Sequence, residues 1–245
     1  LGRSGKEFIQ CLISGLRMME HRCKHVPSRG FGAVELIVVI VVLGGIMLLT
    51  LKGTQLIAPM RAFVVAHQIE RYQAAVLGYQ TGQNAVPGDD PGAPVRWKQR
   101  EDALFTLEGA VVSYAGDNTL NGLFDDSANA AGEQYMAWSD LRAGGYLPGD
   151  PKLTGQSARP ENTYGGVYGF AEDNLGLQQV LCMTRVPGRD AEILDTRLDD
   201  GKIATGRLRG TSQWDPVEAK NHFAAPDSAP YDPEKTYIIC LPMLP

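Results

Sequence analysis

Carboxylates and amides cluster in two places where their spacing could do chemistry, and one further carboxylate sits in an unusual setting. Asp117, Asn121 and Asp125 stand at relative positions 1, 5 and 9 of a loop with Gly122 at position 6, the oxygen pattern of a calcium loop. Thr119 replaces a usual acidic ligand, and Ala128 stands where a bidentate glutamate is expected. Asp126 or Glu133 would have to complete a looser oxygen cage; a hydrated Asp/Asn/Gly turn accounts for the same residues. Asp195, Asp199 and Asp200 form a second acidic group, read as a helix end followed by a turn rather than a metal site. The carboxylate in the unusual setting is Glu35, inside FGAVELIVVIVVLGGIMLLTL, the otherwise almost wholly apolar run of 21 residues from Phe31 to Leu51.

Enzyme chemistry finds little footing. Of four histidines, His21 and His25 precede the apolar run, His67 falls on a helical pattern and His222 in a proline-rich stretch. No histidine-metal cluster or triad base is visible. Gly-x-Ser-x-Gly, a phosphate loop and a dinucleotide fingerprint are also absent from the sequence. The net charge of −5 argues against nucleic-acid binding, because phosphate contacts need a basic patch.

The apolar run is the element that must position Glu35. As a helix its length is about 30 Å, enough to cross a bilayer core. A charge at mid-membrane costs roughly 2.5–3.5 kcal/mol, so Glu35 implies a buried partner. Residues 1–30 carry a net charge of +4 and residues 31–245 a net charge of −9. By the positive-inside rule this places the N-terminus in the cytoplasm and the bulk outside. An ordinary signal peptide would show a small-residue cleavage site after the run, and KGTQLIAPMRAF offers none.

Past the run, Ile69, Tyr72, Val76 and Tyr79 recur at helical spacing with polar residues between them. The helix is expected to stop by about Gly82, before the loop chemistry of Asn84 to Gly92, and Pro59 is a site for a kink. Residues 104–114, 164–170, 178–184 and 236–241 have strand character. Residues 190–198 read as a short helix and 210–235 as a long irregular loop. The expected class is α+β, with a long N-terminal helical spine over 31–83 and a globular head over 84–245 carrying an antiparallel β-sheet.

Gly30, then Phe31, then Glu35, between a basic stretch and a hydrophobic helix, resembles the processing site of type IV prepilins and type II secretion pseudopilins. Val86-Pro87-Gly88-Asp89, the loop Gly116 to Gly122, the Glu133–Gly145 segment with Trp138, and Leu198-Asp199-Asp200-Gly201 with Gly206 resemble later parts of such proteins. The three residues between Phe31 and Glu35 depart from the family's usual Thr-Leu-Ile, and Lys52 stands where a proline is common.

The resemblance implies that residues 1–30 are a leader cut after Gly30 by a prepilin peptidase, and that Phe31 is then N-methylated. Residues 31–51 would be a transmembrane segment, and Glu35 would set register during assembly. The protein would be a structural subunit of a type IV pilus-like filament, a minor pilin by the size of its head. It would sit as a single-pass inner-membrane protein with a periplasmic head, dock on an inner-membrane assembly platform with other pilin subunits, and end in a pilus or pseudopilus. Alternatives are a type II secretion pseudopilin, or a membrane-anchored adhesin that never polymerises. On this topology Cys182 and Cys240 are an even pair in an oxidising compartment, where a disulfide is expected; two separate buried thiols are the alternative. Calcium at Asp117, Asn121 and Asp125 is the one cofactor the sequence suggests.

Overall fold

The computed structural model describes residues 32–97 (side chains at 48–57 excepted), 116–125, 131–172, 175–212 and 225–245. The chain divides into two compact units, Leu1–Lys52 and Gly53–Pro245. Helix α1, Ala33–Gln83, contributes residues to both.

In the first unit the apolar side chains of α1 face solvent on every side, from 45% exposed at Val39 to 73% at Val34. Among the described residues no helix carries a stretch long and apolar enough to cross a membrane. The end of the expected span, 48–51, lies outside the described side chains. The transmembrane segment expected over 31–51 is therefore not borne out by the described residues.

In the second unit, α1 buries one face. Ala62, Val65, Ala66, Ile69, Val76 and Tyr79 are all within 1% of complete burial, a spacing of three to four that keeps them on one stripe. Gln73 shares that face and is satisfied by donating from Nε2 to the Pro242 carbonyl at 2.8 Å. The helix ends at Gln83, where Asn84 turns to a φ of 53°, a left-handed stop that asparagine tolerates. Among the described residues, the shorter helices α2 (Ala93–Arg96) and α3 (Glu133–Ala143) follow, then a 3₁₀ turn over Gly155–Ala158.

Strands β1 (Tyr168–Ala171), β2 (Val180–Pro187), β3 (Arg209–Thr211) and β4 (Thr236–Pro242) form one antiparallel sheet in the order β1-β2-β4-β3. Helix α4, Gly188–Leu198, follows β2 directly. Alternation along the strands sorts side chains between two faces. Leu181, Met183, Tyr237, Ile239 and Leu241 join the core shared with α1 and α3. Val180, Cys182, Ile238 and Cys240 point to the other face, where Phe124 and Leu175 cover them. The register sets Cys182 opposite Cys240, and the two form a disulfide.

The architecture is thus α+β with an antiparallel sheet, as the sequence implies. Several boundaries move; the strand expected over 178–184 runs Val180–Pro187. The strand expected over 164–170 begins at Tyr168, preceded by an isolated pairing of Val167 with Glu161. The 210–235 segment is not wholly irregular, since β3 enters it and is held by the Asp227 N–H donating to the Gly210 carbonyl at 2.9 Å. The helix expected over 190–198 starts at Gly188. The expected strand at 104–114 and the 213–224 part of the loop lie outside the described residues.

The disulfide closes a separation of 58 residues, for which the chain-entropy model gives about 4 kcal/mol. Replacing both cysteines by serine is expected to lower the unfolding free energy by about 2–5 kcal/mol. Urea titrations with and without reductant check this: reductant should lower the parent's midpoint and leave the double variant's unchanged.

Candidate functional site

Glu35 sits in the first turn of α1. The Gly32 N–H donates to its Oε2 at 3.0 Å, while the Gly32 carbonyl accepts from the Glu35 and Leu36 N–H groups. Gly32 is therefore the N-cap, and Glu35 fills the acceptor half of a capping box. Its negative charge also lies at the positive end of the helix dipole. The sequence reading missed this local role, although an acid three residues after a glycine at a helix start is its signal. Gly30 and Phe31, the expected processing site, lie outside the described residues.

Asp117 and Asn121 are bonded within their own loop and Asp125 to a later segment. Asp117 Oδ1 accepts from the Thr119 N–H at 2.8 Å, and Asn121 Nδ2 donates to the Thr119 carbonyl at 3.3 Å. Asp125 Oδ1 accepts from Gln156 Nε2 at 2.7 Å, with Arg159 Nη2 at 3.7 Å. The same arginine donates to the Phe124 carbonyl and lies over the Phe124 and Tyr135 rings at 5.3 and 5.6 Å. Arg159 is thus a cation beside Asp125. Glu133 Oε2 accepts from the Asn121 N–H at 2.7 Å, so it braces this loop through the backbone. Asp126 and Ala128 lie outside the described residues.

The Pro-Gly-Asp stretch anchors that loop from the other side. Asp89 accepts from the Gly116 and Asn118 N–H groups. Asp90 accepts from the Tyr79 hydroxyl at 2.7 Å and from the Gly92 N–H at 2.9 Å, and pairs with Arg96. Asp140 on α3 is fully buried and accepts from the Gly88 N–H at 2.7 Å. Burial pushes its carboxyl well above the usual carboxylate range, because a low-dielectric site disfavours the charged form. Gly88 has a φ of +94°, and a Cβ there would come within 2.4 Å of the Glu133 carbonyl, so no other residue fits this approach. No spacing rule connects Gly88 with Asp140, and the sequence gives no signal for the pair.

The structure does bring together Asp195, Asp199 and Asp200. One carboxylate oxygen from each lies within 4.8 Å of the others, the one such group of three among the described residues. The helix end and turn expected there are also present: α4 stops at Leu198 and Gly201 turns to a φ of +76°. Protein donors hold all three acids. Asp195 accepts from the Gly201 N–H at 3.0 Å and the Tyr231 hydroxyl at 2.7 Å. Asp199 accepts from the Arg207 and Leu208 N–H groups, and Asp200 from the Lys202 N–H and the Thr205 hydroxyl. The group works as a clasp that folds residues 199–208 back on themselves and ties them to Tyr231.

Burial pushes the Asp195 carboxyl up to about 6, against the hydrogen bonds from Tyr231 and Gly201 and with the nearby Asp200 and Asp199 charges adding to the rise. A carboxyl whose folded value exceeds its unfolded value of about 3.9 holds an extra proton in the folded state between those values. Its contribution is therefore most favourable below about pH 4 and is lost as the pH rises through about 6. Asp195→Asn, which can still accept from Gly201 and donate to Tyr231, should be more stable than the parent at pH 7 by about 1–2 kcal/mol. The difference should shrink toward pH 4. Urea midpoints of both proteins across that range measure it, and a constant gap would refute the assignment.

Compared with protein-family models, curated proteins and solved structures, the chain matches none.

Proposed function

We propose that the chain is a type IV pilin-like structural subunit, made as a precursor, cut after Gly30 and assembled into a filament, with a minor pilin as the specific reading. The observation that carries this is the order Gly30, Phe31, Glu35 at the mouth of the apolar run. A plain anchor needs neither the glycine nor the acid. An α1 that starts at Ala33 supports the reading, since it puts Glu35 within one turn of the proposed new N-terminus. The α+β second unit closed by the Cys182–Cys240 bond is compatible with an exported head.

The mechanism is recruitment and packing. A prepilin peptidase frees the Phe31 amine, which is cationic whether methylated or not. Glu35 of an incoming subunit pairs with the Phe31 amine of its neighbour in the low-dielectric bilayer or filament core. There an unpaired charge is disfavoured and a paired one is tolerated. Leu36, Val39, Ile40, Leu43 and Met47 supply packing without register; all five are exposed in the isolated chain. The inner-membrane assembly platform and other pilin subunits are the partners.

The cap at Gly32 makes the decisive comparison one between two variants. Glu35→Gln keeps an acceptor for the Gly32 N–H and removes the charge, while Glu35→Ala removes both. If charge pairing sets register, both variants insert in the membrane but enter filaments at least about tenfold less, the scale of a 1.4 kcal/mol loss. Normal incorporation of Glu35→Gln would leave Glu35 as a helix cap alone.

The processing step is tested by N-terminal peptide mass spectrometry on protein made with and without a prepilin peptidase. A chain beginning at Phe31 is expected with the enzyme, and Gly30→Phe should leave the precursor intact. Retention of residues 1–30 by the parent would leave an anchored binding protein as the better reading.

A further inference from the structure

The register of the sheet lines up one row of residues on the face that carries the disulfide. Gly169 of β1 stands opposite Cys182 of β2, Cys182 opposite Cys240 of β4, and Cys240 opposite Arg209 of β3. Residues directly opposite one another share a face of the sheet. At one end of the row, a Cβ on Gly169 would come within 2.6 Å of the Phe124 ring, so that ring fills the space beside Cys182. At the other end, Arg209 Nη1 donates to the Leu175 and Gly176 carbonyls at 3.0 and 3.2 Å. Phe124 and Leu175 close over the disulfide, and both cysteines are wholly buried.

Each cover is latched by a guanidinium. Arg159 Nη1 donates to the Phe124 carbonyl at 3.1 Å, its guanidinium lies 5.3 Å from the centre of the Phe124 ring, and its side chain is itself nearly buried. Leu175 has a φ of +54°, a left-handed value that bulky side chains rarely adopt. Its surroundings, the Arg209 bonds among them, therefore hold it over the sulfurs against local preference. Thiol–disulfide exchange needs the approach of a thiolate to one of the two sulfurs. The attacking sulfur bonds to one cysteine sulfur, the other leaves as a thiolate, and the second thiol of a dithiol reductant then releases the first. Two electrons and two protons pass to the cysteines, and the reductant ends as a disulfide. With Phe124 and Leu175 in place, neither sulfur offers that approach.

We infer that Phe124 and Leu175, latched by Arg159 and Arg209, shield the Cys182–Cys240 bond from thiol exchange in the folded chain, and that the oxidation that makes the bond precedes the docking of both covers. The reaction that supplies the bond is a disulfide exchange, with a disulfide-bearing oxidant that reaches the chain while this face of the sheet is open. Formation and reduction pass through the same transition state in opposite directions, so a cover that blocks one blocks the other. The inference is independent of the filament reading, since it concerns the second unit alone.

The test follows reduction of the purified full chain by excess dithiothreitol at urea concentrations below the unfolding transition. Alkylation and peptide mass spectrometry read Cys182 and Cys240 separately from Cys11 and Cys23. In the parent, reduction should be at least about a hundredfold slower than in the unfolded chain and should accelerate with urea, because it follows the population of the open form. Phe124→Ala should be reduced at least about tenfold faster than the parent, at a rate that low urea does not change, the mark of direct access. Ile239→Ala, which removes a core side chain from the opposite face of the sheet, should keep the parent's urea dependence. Urea-independent reduction of the parent would overturn the inference, a result that needs no variant to fold. Reduction of Phe124→Ala that keeps the urea dependence and follows only its lowered stability would overturn it as well.

Discussion

Backbone donors in the loops of the second unit need acceptors, and aspartates supply them. The strands are short, so among the described residues of the second unit much of the backbone has no ladder to join. An unpaired buried N–H costs about as much as a lost hydrogen bond. Asp89 meets two loop N–H groups, Asp140 meets Gly88, Asp199 meets Arg207 and Leu208, and Asp227 meets Ser212. Remove these carboxylates and the loops over the sheet lose their fixed course. Among the described residues Asp89, Asp90, Glu133, Asp140, Asp190 and Asp195 are buried, and they serve the fold.

Those pinned loops cover a two-layer body. One layer is the buried face of α1 with α3. Trp138 stacks on Phe170 with ring centres 4.4 Å apart, and Tyr72 meets Trp138 and Tyr168 edge-on at 5.1 and 4.9 Å. The other layer is the sheet, whose far face carries the disulfide under Phe124 and Leu175. The covalent link joins neighbouring strands that already share hydrogen bonds, so it fixes strand register instead of stapling a distant tail.

Glu35 joins local structure to the proposed role. As a cap it accepts from the Gly32 N–H, and as an assembly group it must meet a cation on another subunit. A carboxylate has lone pairs enough for both. Capping fixes the side chain at the start of the helix, which would reduce the entropy lost when a partner amine arrives. A cap and a register device are therefore compatible, and the charge is the property that distinguishes them.

Patterns with short periods were legible in the sequence. The 69–79 helix face follows from spacing of three to four, and the strand runs around Cys182 and Cys240 and the helix before Asp199 from local composition. The calcium pattern at Asp117, Asn121 and Asp125 was equally legible as a pattern. The fold turned Asp125 toward Gln156 and Arg159, residues more than thirty positions away, which no local spacing can announce. The same holds for Asp140 under Gly88 and for Arg197 against Phe63. By itself the sequence determined the α+β class, the buried stripe of the long helix and the order Gly30, Phe31, Glu35, because periodicity and composition are local properties of the chain. Only the tertiary structure decided which acid serves which backbone, that the two cysteines are sheet neighbours, and that Arg197 lies over Phe63. Those outcomes depend on how distant segments pack, and packing selects partners by shape and burial.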